Sequence, residues 1–200
     1  MFDLPVAIRL QQSIKMFKLA VVLVLSVLVH ENLGALISRA AWGARAPNFV
    51  SRFNGVIPYV VIHHSYEPGV CYSTDACKAA MRSMQNFHMN TNGWPDIGYS
   101  FAVGGDGNIY EGRGWNVEGA HTPGYNSRSV GILLIGDFRT ALPPANMLTA
   151  TKNFISQGVN EGRISGSYKL IGHRQAYATE CPGTRLYNEI RTWSRWTANP

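Results

Sequence analysis

The run Tyr59-Val60-Val61-Ile62, closed by His63 and His64, limits this chain more than any other stretch. Aromatic and β-branched residues without polar alternation suit a strand buried on both faces, and such a strand needs a layer on each side. Successive strand side chains point to opposite faces, so His63 and His64 cannot both look at one site. A second stretch, residues 172–183, sets His173 and Cys181 eight residues apart at the mouth of an expected helix. Imidazole and thiolate are the usual zinc ligands, and the N–H groups and dipole of a helix start favour an anionic cysteine. Two ligands do not make a site. At least one more must come from elsewhere, and the only other clustered histidines are His63 and His64.

The remaining elements follow from periodicity and punctuation. From Ser73, a plausible N-cap, Ala76, Ala80, Met84 and Phe87 recur at helical spacing until Asn92-Gly93, which assigns Met84 and Phe87 to the core. Residues 97–103 and 108–111 alternate around the glycine-rich turn 104–107 and predict a β-hairpin. A strand over 129–135 follows, then a helix introduced by Pro143 and Pro144 and running to about Gly158. A short strand is expected over 168–171 and a last helix over 183–196, with Trp193 and Trp196 on one buried face. Residues 37–58, interrupted by Trp42, Pro47 and Pro58, read as an extended lead-in covering the sheet. The fold class is α/β, a single domain with a central mixed β-sheet flanked by helices. Two hundred residues, 46% apolar and 15% charged, suffice for one core and exclude a disordered chain.

At the N-terminus an apolar run over 19–29, preceded by Lys15 and Lys18, has the form of a secretory signal peptide. It is short for a bilayer span, which takes roughly 20 residues. Gly34 and Ala35 are candidate cleavage positions, and Met16 is an alternative start. Residues 1–34 are therefore read as the signal region and 35–200 as the domain of a secreted, extracellular protein without a membrane span in its mature form. Residues 31–200 carry 15 basic against 11 acidic side chains, a net charge of +4 that suits anionic polymers without singling one out. Secretion permits a disulfide between Cys71 and Cys77, which would clamp a helix start to the preceding loop. Cys181 is then left over, free for metal or buried and inert.

The chain resembles the peptidoglycan recognition proteins, animal relatives of phage-type zinc N-acetylmuramoyl-L-alanine amidases. The resemblance is carried by Val61-Ile62-His63-His64-Ser65, Trp94-Pro95-Asp96-Ile97-Gly98-Tyr99, Tyr110-Glu111-Gly112-Arg113-Gly114-Trp115 and Gly172-His173-Arg174. It implies a zinc ion held by His63, His173 and Cys181, with Tyr99 in the site. Three protein ligands leave the fourth tetrahedral position of zinc open, the mark of a catalytic centre for metal-assisted amide hydrolysis. Thr179 shares a face with Cys181 if that segment is extended, and the resemblance gives it and Tyr99 a part in catalysis, orienting water and donating to the oxyanion. Glu180 then points away, which argues against it as general base, and His64 reads as a packed, hydrogen-bonded histidine. His121 lies in a loop that the family uses for glycan and peptide contact, so it either lines the groove or is solvated. Trp42 and Trp115 are either sugar platforms or core.

Resemblance also bears on the ligand. A Gly-Trp pair and a following arginine, here Gly93, Trp94 and Arg113, go with preference for diaminopimelate-type over lysine-type stems, and a bidentate guanidinium–carboxylate contact gives that preference a mechanism. The implied partner is bacterial peptidoglycan, in innate immunity, with no nucleic acid and a monomeric protein. The competing expectations are a recognition protein that binds without cleaving, and a protein acting on membranes or receptors. The latter would need a long cationic amphipathic segment or a receptor tail, and the sequence has neither.

Overall fold

The computed structural model describes residues 11–12, 14–18 and 34–200. Residues 11–12 and 14–18 are helical and exposed; the apolar signal segment 19–29 lies outside the described residues. Among the described residues no helix is long and apolar enough to cross a membrane.

Within Gly34–Pro200 the order is β1 (Leu36–Ile37), α1 (Arg39–Trp42), β2 (Ile57–His64), α2 (Thr74–Asn90), β3 (Phe101–Val103), β4 (Ile109–Glu111), β5 (Ser129–Leu134), α3 (Ala145–Asn160), β6 (Ile164–Gly172), a 3-10 turn (His173–Gln175) and α4 (Thr184–Ile190). Six strands form one sheet in the order β1-β4-β3-β5-β2-β6. Every pairing is parallel except the β3–β4 hairpin, so the sheet is mixed. Period-two alternation divides it into two faces. Val60 and Ile62 of β2, with Val130, Ile132 and Leu134 of β5, join Phe154 and Ile155 of α3 in one buried cluster. Leu133, Ala102 and Tyr110 join Met81 and Met84 of α2 in the other.

Ser73 caps α2, its hydroxyl accepting from Ala76 N at 3.3 Å, and Gly93 closes the segment at φ +69°, a conformation that favours glycine. The disulfide between Cys71 and Cys77 is present, with Cα atoms 5.1 Å apart.

Several expectations are corrected. Phe87 is 55% exposed: the buried stripe of α2 runs through Met81, Met84 and His88, which leaves Phe87 on its flank. The lead-in is not wholly extended, because β1 pairs with β4 and α1 buries Trp42 completely, its Nε1 donating to Glu111 O at 2.8 Å. Strand β6 extends well before residue 168; its Ser165-Gly166-Ser167 segment sits on the sheet edge, half-buried to exposed, and so carries no hydrophobic signal. Helix α4 stops at Ile190, so Trp193 and Trp196 lie beyond it. There the chain turns back to pair with Leu170, covering part of the β6 edge. Trp115 is half-buried and packs against the core, stacked on Phe154 with centroids 5.3 Å apart.

Candidate functional site

Two strand ends assemble the site. β2 and β6 run parallel with Ile62 opposite Gly172, so the residues that follow, His63 and His173, emerge side by side with ring centroids 4.6 Å apart. That register removes the 110 residues that separate them in sequence. After the 3-10 turn the chain returns, Arg174 N donating to Cys181 O at 2.9 Å. This return sets Cys181 Sγ 3.6 Å from His63 Nδ1. One ligand atom from each of His63, His173 and Cys181 lies within 4.8 Å of the others. His64, on the opposite face, accepts from Phe138 N at 3.2 Å through its Nδ1.

The donor set fits a zinc ion on the structure's own terms. Burial holds the imidazoles of His63 and His173 neutral, the first well below its ordinary pKa and the second at about 4, which leaves lone pairs free to coordinate. His173 Nε2 is buried without a hydrogen-bond partner. Cys181 is a free thiol. Contrary to the expectation from a helix start, burial outweighs other influences on it and pushes the thiol up to about 12. The reason is spatial: α4 begins only at Thr184. His64 N donates to Sγ at 3.4 Å and Arg174 lies near, and both favour the thiolate more weakly. Metal uptake would therefore displace a proton from Cys181.

His173 and Cys181 border a cavity of about 540 Å³ whose wall includes His64, Tyr66, Tyr99, Arg139, Thr179 and Glu180, with His63 buried behind them. A second hollow of about 460 Å³, lined by Met84, Phe87 and His88, shares Ser65 and Tyr99 with it, so the two form one groove. Tyr99 stands between His63 and His88, at centroid distances of 5.3 and 5.7 Å. Burial, reinforced by Cys181, raises its phenol well above the ordinary tyrosine range. Thr179 sits in a bend rather than an extended segment, and its Oγ1 accepts from Cys181 N at 3.2 Å. Glu180 is largely exposed and faces Arg139 at 3.6 Å.

Gly93 has no atom of this chain within 4 Å of where a Cβ would sit. Trp94 packs against His88 with its ring tilted by 32° and centroids 4.7 Å apart. Arg113 is half-buried rather than solvated: Nε donates to Ile97 O and Nη1 to Glu118 O, both at 2.6 Å, while buried Nη2 has no partner. His121 is not solvated. Only 6% exposed, it lies against His63, Nδ1 to Nε2 at 3.1 Å. Its ring fits there because Gly131 of β5 has no side chain; a Cβ at Gly131 would stand 2.5 Å from His121 Cδ2.

The sequence reading omitted Tyr66, Phe87 and Arg139 from the groove. Tyr66 and Arg139 follow the C-terminal ends of the parallel strands β2 and β5, where ligands gather in open α/β sheets, and that rule would have found them. For Phe87 the signal misled, since helical spacing favoured burial.

The sequence profile of the N-acetylmuramoyl-L-alanine amidase family matches residues 53–184. Peptidoglycan-recognition protein LB of Drosophila melanogaster is 60% identical over 162 residues, covering 81% of this chain and 70% of that protein. A tyrosine-to-phenylalanine mutant of Drosophila PGRP-LB, solved in complex with tracheal cytotoxin, matches with a TM-score of 0.81 at 60% identity, over 83% of this chain and 98% of that one. The structure of peptidoglycan recognition protein-LE in complex with tracheal cytotoxin, a monomeric diaminopimelic acid-type peptidoglycan, matches with a TM-score of 0.80 at 44% identity, over 82% of this chain and 96% of that one.

Proposed function

The chain belongs to the peptidoglycan recognition proteins, and from that membership we propose that it is a secreted, zinc-dependent N-acetylmuramoyl-L-alanine amidase. It binds bacterial peptidoglycan and hydrolyses the amide between the lactyl group of N-acetylmuramic acid and L-alanine. The observation that carries the reading is the convergence of His63, His173 and Cys181 within 4.8 Å at the groove. His63, His173 and Cys181 would hold a zinc ion, which would supply Lewis-acid polarisation of the scissile carbonyl and activation of water near neutral pH.

The chain's own residues do the rest. Tyr99 keeps its phenolic proton at neutral pH and donates it in a hydrogen bond to the carbonyl oxygen as that oxygen gains charge. Thr179 accepts from Cys181 N, which steadies the ligand loop, and retains its own hydroxyl proton to orient water. The shared groove holds the stem peptide, past Tyr99 toward Phe87 and His88. Diaminopimelate-type stems are preferred: Gly93 leaves room beside the stem, Trp94 packs against it, and Arg113 pairs with the extra carboxylate. The two relatives solved with tracheal cytotoxin support this choice of ligand.

Metal analysis and product analysis on purified muropeptides test the proposal together. One zinc per chain and release of stem peptide beginning at L-alanine are expected, and Cys181→Ser should lose hydrolysis while keeping muropeptide binding. Full activity in metal-free Cys181→Ser protein would sink the mechanism. A wild type that binds muropeptides and releases no peptide would leave the competing reading, a recognition protein without catalysis.

A further inference from the structure

We infer that His121, Thr122 and Ser129 form a buried relay that fixes the proton of His63 on Nε2 and so reserves Nδ1 for the metal; the inference rests on the zinc reading above. His63 Nε2 lies 3.1 Å from His121 Nδ1 and 3.3 Å from Thr122 Oγ1, and those two atoms are 3.0 Å apart. On the far side of the ring, His121 Nε2 faces Ser129 Oγ at 3.5 Å, and the Ser129 hydroxyl donates to Tyr125 O at 2.8 Å. All four side chains are buried, the most exposed being His121 at 6%.

The last link sets the direction of the others. A backbone carbonyl only accepts, so the Ser129 hydrogen is committed to Tyr125 O and an oxygen lone pair is left toward His121. A bare His121 Nε2 would oppose that lone pair in a buried setting, leaving two acceptors unsatisfied. His121 therefore carries its proton on Nε2 and accepts at Nδ1. The donor available to that Nδ1 is His63 Nε2–H, with the Thr122 hydroxyl beside it. A neutral imidazole has one N–H, so His63 Nδ1 is left bare, and it is the nitrogen that lies 3.6 Å from Cys181 Sγ.

The arrangement is built rather than incidental. Gly119 and Gly131 both clear the space taken by the His121 ring, where a Cβ at either would stand within 2.5 Å of Cδ2. Asn126 Oδ1 accepts from His121 N at 2.9 Å and Thr122 N at 2.8 Å and pins the loop. Outer partners of this kind set both the tautomer and the orientation of a histidine ligand. His121 is accordingly a positioning residue.

Two measurements test the relay. Nitrogen-15 NMR of the metal-free wild type should find His63 as the Nε2–H tautomer; the Nδ1–H tautomer overturns the inference. Zinc affinity by chelator competition should fall about 10- to 100-fold in His121→Ala and in Ser129→Ala. Gly131→Ala removes no polar atom but drives a methyl into the ring, and should fall with them. His121→Asn keeps an acceptor near the place of Nδ1 and should retain more affinity than His121→Ala. Melting of the metal-free proteins separates this from misfolding. Zinc uptake in the wild type with unchanged affinity in His121→Ala overturns this inference alone, whereas a wild type that takes up no zinc overturns the amidase reading and the relay with it.

Discussion

Arg113 commits Nε and Nη1 to backbone carbonyls of its own chain, which holds the guanidinium plane in place and leaves buried Nη2 as the donor without a partner. A planar cation fixed in this way discriminates by geometry as well as charge. A hydrogen bond to a charged group is worth about 1.5 to 3 kcal/mol, so Arg113→Ala should lower the preference for diaminopimelate-type over lysine-type muropeptides roughly ten- to a hundredfold. Initial rates on matched substrates measure it, and an unchanged ratio would mean that another residue selects. The same substitution strips two carbonyls of their donor, so some loss of stability should accompany it. The motifs around them single out Arg113 as the candidate selector and His63, His173 and Cys181 as the candidate ligands. Their surroundings were not legible in the sequence. His121 lies 58 residues from His63, and nothing local to either says that a loop will lay one ring against the other. The clue was Gly131, a glycine inside a strand whose other residues are apolar, and its meaning depends on what crosses above it.

At the scale of elements, β2 and β5 were legible as short apolar runs buried on both faces, α2 from its helical spacing and α3 from the prolines that introduce it. The misses share a cause: β1, α1, the start of β6 and the segment after α4 are placed by hydrogen bonds to distant partners rather than by a pattern of their own. The disulfide is an element-scale device, tying the start of α2 to the loop before it. A loop this short restricts the unfolded chain modestly. Replacing both Cys71 and Cys77 by serine should cost about 2 kcal/mol and lower the melting temperature by about 4 to 8 °C. Zinc content should not change, because Cys181 takes no part in the bridge. Peptide mapping without reductant that found Cys181 joined to either partner would contradict this.

Taken whole, the domain buries four histidines, His63, His64, His88 and His121, and half-buries a fifth, His173, and burial is the first cause of the lowered pKa in each. The unfolded chain takes up protons near pH 6.5, whereas these folded groups resist them down to about 4 or below. Between those limits the unfolded state binds more protons, so stability rises with pH through the window and is lost as pH falls through it. His64 and His88 alone, each lowered to about 4, contribute on the order of 3 kcal/mol apiece. Urea melts with a chelator present should show a midpoint that is steady above pH 6.5 and drops steeply toward pH 4; a flat profile across that window would contradict the burial argument. The register that sets Ile62 opposite Gly172 also puts a clock on the site. His63 is made 118 residues before Cys181, the last of the three to be made, and the strands that align them are the slow, long-range kind to pair. A chain made or folded only as far as β2 therefore holds one of the three candidate ligands and lacks the proposed zinc site. In refolding, zinc uptake followed with a chromophoric chelator should trail the recovery of helical circular dichroism, and simultaneous signals would show that the ligands meet before the sheet closes.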